Sequence, residues 1–297
     1  MSTQQLEWIV ARLRERLKHM PKSVEESRTE YETYTEKLRV GPDVQREPVN
    51  ADGVPAHWVC TPNAREERTI LYLHGGGYIL GSTTTHLSLI GNIARACEAR
   101  CLSVDYRLAP EAPHPAALED ATAAYLWLLK QGVAPEQIIL MGDSAGGGLS
   151  AATLAHLREQ GLPLPAAAVL LSPWVDLEAT GESAETRAAE DPLIVKRGIQ
   201  IFARLYLGGK DTRTPLAAPL YADLHGLPPV LIQVGTAEVL LDDSTRLAAR
   251  LQESGVRMEL RIYDGMIHVW QMYAGLVDEA DAAIAEIGAF AAQHWPS

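Results

Sequence analysis

Gly142-Asp143-Ser144-Ala145-Gly146 follows directly on the apolar run 138–141 and leads into Gly147-Gly148-Leu149, the start of a Gly- and Ala-rich helical pattern. A strand that turns this abruptly into a helix forces the serine into a strained backbone, and flanking side chains would collide across the turn. Glycines remove that collision, and the result is a nucleophile elbow that presents a serine hydroxyl for attack. The helix beyond it aims backbone N–H groups and its positive end at any oxyanion formed there. A plain turn with a capping serine is the blander reading, but strand, Gly-x-Ser-x-Gly and helix all coincide. A second glycine-rich stretch, His74-Gly75-Gly76-Gly77-Tyr78, ends the run 69–73. Three successive glycines let the backbone close on a substrate with N–H groups pointing at developing negative charge. His74 sits on the loop that must hold those glycines, which suits a structural hydrogen bond better than the work of a base.

A serine is a poor nucleophile at neutral pH and needs a histidine base oriented by a carboxylate. The histidines beyond Ser144 are His156, inside the helical pattern after the elbow, then His225, His268 and His294. Acids that could orient one of them include Asp191 and, after the apolar run 230–234, Glu238, Asp242 and Asp243.

The elements that must position these groups alternate between two periods. Short apolar runs at 69–73, 101–104, 138–141, 167–171, 230–234 and 258–262 read as strands. Helical patterns near 86–98, 116–129, 147–159, 243–253 and 278–292 lie between them, the sequence form of a mostly parallel sheet with crossover helices. Two weaker runs, 44–48 and 56–60, flank the turn-forming Ala51-Asp52-Gly53 and predict a hairpin at the sheet edge. At the start of the chain, Leu6, Ile9, Val10, Leu13, Leu17 and Met20 recur at helical spacing, and Pro21 is the expected stop. Residues 28–46 are polar with weak Tyr31, Tyr34 and Leu38 anchors, as in an appendage lying on something else. Residues 176–215 lack any strand signal, which marks an insertion with a helical stretch at 199–207.

Composition excludes several classes. With 26 Lys and Arg against 38 Asp and Glu, the 297-residue chain carries a net charge of −12. No cationic stripe is present, so neither nucleic acid nor an acidic membrane surface is an expected partner. Cys60, Cys97 and Cys101 are too few and too odd in number for a disulfide framework and read as buried small hydrophobes. Cys97 and Cys101 lack the second pair or nearby histidine that a metal site needs, and no metal is expected. The first ten residues lack a secretory pattern and no apolar stretch is long enough to span a bilayer, so a cytoplasmic location is expected.

The order His74-Gly75-Gly76-Gly77-Tyr78, Asp105-Tyr106-Arg107-Leu108-Ala109-Pro110-Glu111, Gly142-Asp143-Ser144-Ala145-Gly146-Gly147-Gly148 and Leu171-Ser172-Pro173 resembles the hormone-sensitive-lipase-like branch of the α/β-hydrolases, microbial esterases among them. The resemblance runs from about Val44 to the C-terminus. It implies an α/β-hydrolase fold, a mostly parallel eight-stranded sheet with helices on both faces and a small helical cap. Cap segments are expected at 1–45 and 176–215, and the catalytic core at 46–175 and 216–297. Gly76, Gly77 and Ala145 would supply oxyanion N–H groups, with Gly75 shaping the loop. His268, just after the last strand, stands where the family places its base, although Val269-Trp270 replaces the common Gly-Phe. The family's Asp-Pro-Leu string does occur, as Asp191-Pro192-Leu193, but within the insertion, where no sheet edge would fix it. Glu238 instead aligns with the family's aspartate, followed as candidates by Asp242 and Asp243, for which capping of the helix near Ser244 is the alternative.

The resulting expectation is a serine carboxylesterase acting on short- to medium-chain acyl esters through Ser144, His268 and Glu238, without a cofactor. Trp8, Tyr78, Asp143, Trp174, Phe202 and Tyr206 are candidates to line its pocket. Asp143, beside the nucleophile, reads as structural, and Asp105 and Glu111 as loop ties through partners such as Arg107. A ligand-binding receptor on the same scaffold is the competing class, against which His268 argues; an amidase or long-chain lipase would keep the same triad. Two copies are expected to pair, if at all, through the last strand, 258–262.

Overall fold

The computed structural model describes residues 2–17 and 23–296. In chain order the elements are α1 (Ser2–Leu17), α2 (Val24–Thr35), β1 (Gln45–Ala51), β2 (Val54–Cys60), β3 (Arg65–Leu73), α3 (Thr83–Cys97), β4 (Ala99–Val104), α4 (Ala116–Lys130), β5 (Ile138–Asp143), α5 (Ala145–Glu159), β6 (Ala167–Leu171), α6 (Ser183–Thr186), α7 (Lys196–Leu207), β7 (Val230–Gly235), α8 (Leu241–Glu253), β8 (Met258–Tyr263) and α9 (Asp278–Ala292). The eight strands form one sheet in the order β1-β2-β4-β3-β5-β6-β7-β8. β1 pairs antiparallel with β2, and β2 with β4, so the expected edge hairpin is present; every other pairing is parallel. Register aligns the carboxyl ends: Leu73 lies opposite Gly142, Asp143 opposite Leu171, Leu171 opposite Gln233, and Gly235 opposite Tyr263. Any loop leaving β3, β5, β6, β7 or β8 therefore starts from one rim.

Strand periodicity separates two cores. Leu71, Leu73, Leu140 and Leu170 face α4, α5, α7 and α8, while Ile70, Tyr72, Ile139, Met141, Val169 and Leu171 face α3, α9 and α1. Burial on both faces explains why the inner parallel strands read as apolar runs, while the edge strand β8 alternates, with Glu259 and Arg261 between Met258, Leu260 and Ile262. Cys97 and Cys101 belong to the second core as expected, and burial pushes the Cys97 thiol up to about 12. Cys60, at the end of β2 beside the edge strand, is half-buried rather than buried.

Helix boundaries depart from the periodic pattern where caps decide. α3 begins at Thr83, three residues before its apolar pattern, because Ser82 and Thr85 form a reciprocal capping box. The polar 28–46 stretch contains most of a helix: Ser23 caps α2 through Glu26 N–H, and Arg28 bonds the carbonyls of Ile79 and Ala109 while pairing with Glu111. Met20 and Pro21, the expected end of the first helix, lie outside the described residues. The 176–215 insertion carries α6 and α7 and no strand among the described residues. Its Ala189 carbonyl accepts from Arg14 of α1 at 3.2 Å, so the two non-core segments touch.

Candidate active site

Ser144 occupies the turn between β5 and α5 at φ 53°, ψ −120°, a left-handed backbone that a non-glycine residue adopts only when its surroundings impose it. Gly146 shows why the flanks are bare: a Cβ there would lie 1.9 Å from the Leu73 carbonyl oxygen. The serine is pinned from the neighbouring strand, its N–H donating to Leu171 O at 2.8 Å. Its carbonyl accepts from both Gly148 and Trp174 N–H.

His268 and Glu238 meet two strands away. Glu238, in the turn after β7, accepts on Oε2 from His268 Nδ1 at 2.7 Å, and both side chains are buried. Oε1 is held separately, by Gly235 N–H at 2.8 Å and by the Ser172 hydroxyl at 2.8 Å. Ser172 Oγ also accepts from Val269 N–H at 3.2 Å, so one hydroxyl spans the acid and the residue following the histidine. Ser172 and Val269 both have left-handed backbones, at φ 43° and 50°. Burial pulls the His268 pKa down, yet the Glu238 bond and charge, with Asp191 and Asp143 behind them, outweigh it and hold the imidazole above its ordinary 6.5. An imidazole favoured as its cation beside a buried carboxylate is suited to accept a proton from a hydroxyl.

The glycine loop is anchored from below. Asp143 Oδ1 accepts from Gly75 N–H at 3.0 Å and from Tyr72 OH at 2.7 Å, and His86 Nε2 lies 3.4 Å from Oδ2. Burial raises the Asp143 pKa, but these histidine and tyrosine contacts outweigh it and keep the carboxyl below its ordinary range. A Cβ on Gly75 would sit 2.2 Å from Asp143 Oδ2, so that position must be glycine. Gly76 and Gly77 follow at φ 111° and 65°, a path only glycine takes easily. His74 is fully buried, bonds Gly75 O through Nδ1 at 2.8 Å and stacks on Tyr106 with 4.3 Å between ring centroids. Burial, then His86, lowers its pKa to about 4, which fits the loop-holding role.

Several sequence expectations need correction. Asp191 is not left unfixed within the insertion: it is buried and accepts from Val239 N–H, the residue after Glu238, at 2.9 Å. Asp242 and Asp243 lie in the first turn of α8 but serve other backbone groups. Asp242 accepts from Ser183 N–H, and Asp243 from Val175 and Asp176 N–H. Arg107 pairs with Glu119 and Asp120, while Asp105 pairs with His57 and Glu111 with Arg28. His156 is on α5, His225 is exposed beside Asp223, and His294 bonds Phe290 O, none of them in the cluster of Glu238 and His268. Tyr78 stacks on Tyr206 of α7 at 3.6 Å and leans on Trp174, all buried; Phe202 lies against Gly77. Trp8 is 55% exposed, covered by Arg12. The sequence reasoning gave Ser172 no role beyond the Leu171-Ser172-Pro173 match and passed over Ser183. Among the described residues, no group of three or more His, Cys, Asp or Glu side chains could hold a metal ion, and no helix is long and apolar enough to cross a membrane.

Known proteins are similar to this chain in sequence and fold. Residues 70–272 match a family described as having the alpha/beta hydrolase fold. An acetyl-hydrolase of Streptomyces hygroscopicus is 47% identical over 79% of this chain and 78% of its own, and an esterase of Acinetobacter venetianus 36% identical over 84% and 82%. The crystal structure of an esterase from the bacterial hormone-sensitive lipase family superposes with a TM-score of 0.97 at 49% identity, covering 99% of both chains. A second solved structure, an esterase/lipase from an uncultured bacterium, gives 0.93 at 44% identity over 99% of each chain. With a sheet and elbow of the required form, curated relatives matched over about four-fifths of their length and a solved structure matched over 99% of its own, the chain belongs to the hormone-sensitive-lipase-like branch of the α/β-hydrolases, a family of carboxylic-ester hydrolases.

Proposed function

We propose that the protein is a serine carboxylesterase that hydrolyses short- to medium-chain acyl esters through an acyl-enzyme. The observation that carries this reading is the Glu238–His268 hydrogen bond at 2.7 Å on the strand rim from which the strained Ser144 turn also rises. Ser144 Oγ attacks the ester carbonyl carbon while His268 Nε2 takes its proton, and Glu238 stabilises the imidazolium. The N–H groups of Gly76, Gly77 and Ala145 hold the oxyanion on a loop that Asp143 pins through Gly75. Collapse expels the alcohol with the proton from His268; water then repeats the sequence and releases the acid.

The N-terminal helices and the 176–215 insertion act as a cap over the core formed by 46–175 and 216–297. Phe202 lies against Gly77, and Tyr206 against Tyr78 beside Trp174, and bulky rings packed at the oxyanion loop support short acyl groups over long ones. The expected setting is cytoplasmic, with small-molecule esters as substrates and pairing of copies through the edge strand β8, where Ile262 is 49% exposed.

The test combines a fluorophosphonate probe with an acyl-length series of p-nitrophenyl esters and an aryl acetamide. The expected result is a single label on Ser144 that substrate blocks, with turnover highest between acetyl and hexanoyl esters. No label, or a label elsewhere, sinks the serine mechanism and favours a receptor. Fastest turnover on palmitate or on the amide moves the assignment to a lipase or an amidase.

A further inference from the structure

The turn that carries Glu238 is gripped by the insertion on both sides of one residue. Asp191, between α6 and α7, accepts from Val239 N–H at 2.9 Å on Oδ2, while Oδ1 accepts from Leu193 and Ile194 N–H at 2.8 and 2.9 Å. Ser183 of α6 donates its hydroxyl to Val239 O at 2.7 Å and accepts from Asp242 N–H at 3.0 Å. Its N–H donates to Asp242 Oδ2 at 2.8 Å, which closes the clasp. Asp191 and Ser183 are 4% and 3% exposed, so these bonds do not compete with water. A buried carboxylate that spends both oxygens on backbone N–H groups is a fixed strut, and this one ends one peptide away from the acid that orients His268.

We propose that Asp191 is a positioning residue that locks the Glu238 turn to the insertion, so that Glu238 is aligned on His268 only while the insertion is seated on the core. This rests on the reading of Glu238 as the orienting acid. The same insertion carries Phe202 and Tyr206 against the oxyanion loop, so its seating closes the substrate side and aligns the acid in one movement. The Asp191 charge adds to those of Glu238 and Asp143 around His268 and acts in the same direction.

A double-mutant cycle on the full chain tests this, with Asp191→Ala, Glu238→Ala and the pair assayed on p-nitrophenyl acetate. Asp191→Ala is expected to lower kcat by about 10- to 100-fold with KM within threefold, the range that loss of one buried charged hydrogen bond spans. In the Glu238→Ala background the same change is expected to cost less than twofold, because the group it positions is gone. An unchanged kcat for Asp191→Ala, or an equal loss in both backgrounds, overturns the proposal while leaving the triad intact. A Glu238→Ala enzyme of near-wild-type kcat instead removes the triad reading, and the proposal with it. Should Asp191→Ala not be recovered folded, Asp191→Asn runs through the same cycle with the same outcomes. The low-field resonance of the His268 Nδ1 proton gives a readout independent of turnover: it is lost or shifted in Asp191→Ala, and an unchanged resonance overturns the proposal.

Discussion

Replacing Ser172 by alanine removes one hydroxyl and leaves the backbone as it was, since alanine keeps a Cβ at φ 43° and adds no new strain. Two buried bonds go with it, the one to Glu238 Oε1 at 2.8 Å and the one from Val269 N–H at 3.2 Å. A hydrogen bond to a charged group contributes about 1.5–3 kcal/mol, and an orphaned buried N–H costs about 1–3 kcal/mol. Together they predict a loss of about 2.5–6 kcal/mol in folding stability. Gly235 N–H still holds Oε1, so Glu238 is loosened rather than released. If only the carboxylate's share reaches the transition state, the barrier rises by about 1.5–3 kcal/mol, which is about 10- to 100-fold in kcat at 1.4 kcal/mol per decade. Steady-state kinetics on p-nitrophenyl acetate, with urea unfolding of the same preparation, measures both parts. A folded Ser172→Ala enzyme with kcat within twofold of wild type would refute the claim that this hydroxyl holds acid and base together.

Glu238→Asp shortens the acid by one carbon, about 1.5 Å. It cannot keep Oε1 on Ser172 and Gly235 while reaching His268, so kcat/KM is expected to fall about 100-fold, whereas Asp242→Ala, which removes only the Ser183 N–H partner and leaves Glu238 in place, is expected to lose less than about 10-fold. Equal losses in the two variants would show the wrong acid has been chosen. Asp243 bears on pH and stability. Burial pushes it up to about 7 from 3.8 despite bonds from Val175 and Asp176 N–H. A carboxyl whose folded pKa is raised contributes fully at low pH, and its contribution declines as pH climbs from about 4 through about 7, by at most about 4 kcal/mol at 1.36 kcal/mol per pH unit. Asp243→Asn cannot ionise, so its melting temperature should fall less between pH 5 and pH 8 than that of the wild type; an equal fall would place the pH dependence elsewhere.

What the sequence disclosed follows from how local each signal is. Strands β3, β5, β6 and β7 were legible because burial on both faces leaves an apolar run, whereas the edge strand β8 was legible from Met258, Leu260 and Ile262 alternating with Glu259 and Arg261. The elbow was legible because its motif occupies five consecutive residues, although the backbone that keeps Gly146 bare is that of Leu73 on the neighbouring strand. α2 was hidden because its anchors are Arg28 and two tyrosines rather than an apolar stripe, although Ser23 and Glu26 carried a cap signal. Asp191 was misjudged for a different reason. A residue in a strandless insertion has no local pattern to say which strand end it will reach, and only the folded path brings it to Val239. Ser172 likewise has no signal of its own, since its partners lie 66 and 97 residues away.

Val269 carries a left-handed conformation directly after His268. It is a β-branched residue in the left-handed region, where a side chain of that shape is strained, and it is buried in the second core beside Met266, Ile267 and Trp270. Strain of about 1–3 kcal/mol is matched there by about 1.5–3 kcal/mol from burying the side chain. The peptide after His268 thus keeps its direction only as long as the packing beneath it is tight. On the proposed reading of His268 as the base, mutational drift in that core is screened by turnover as well as by foldability. A lineage could accept a smaller residue on α3 or α9 and stay folded, yet lose the direction of the peptide that follows His268.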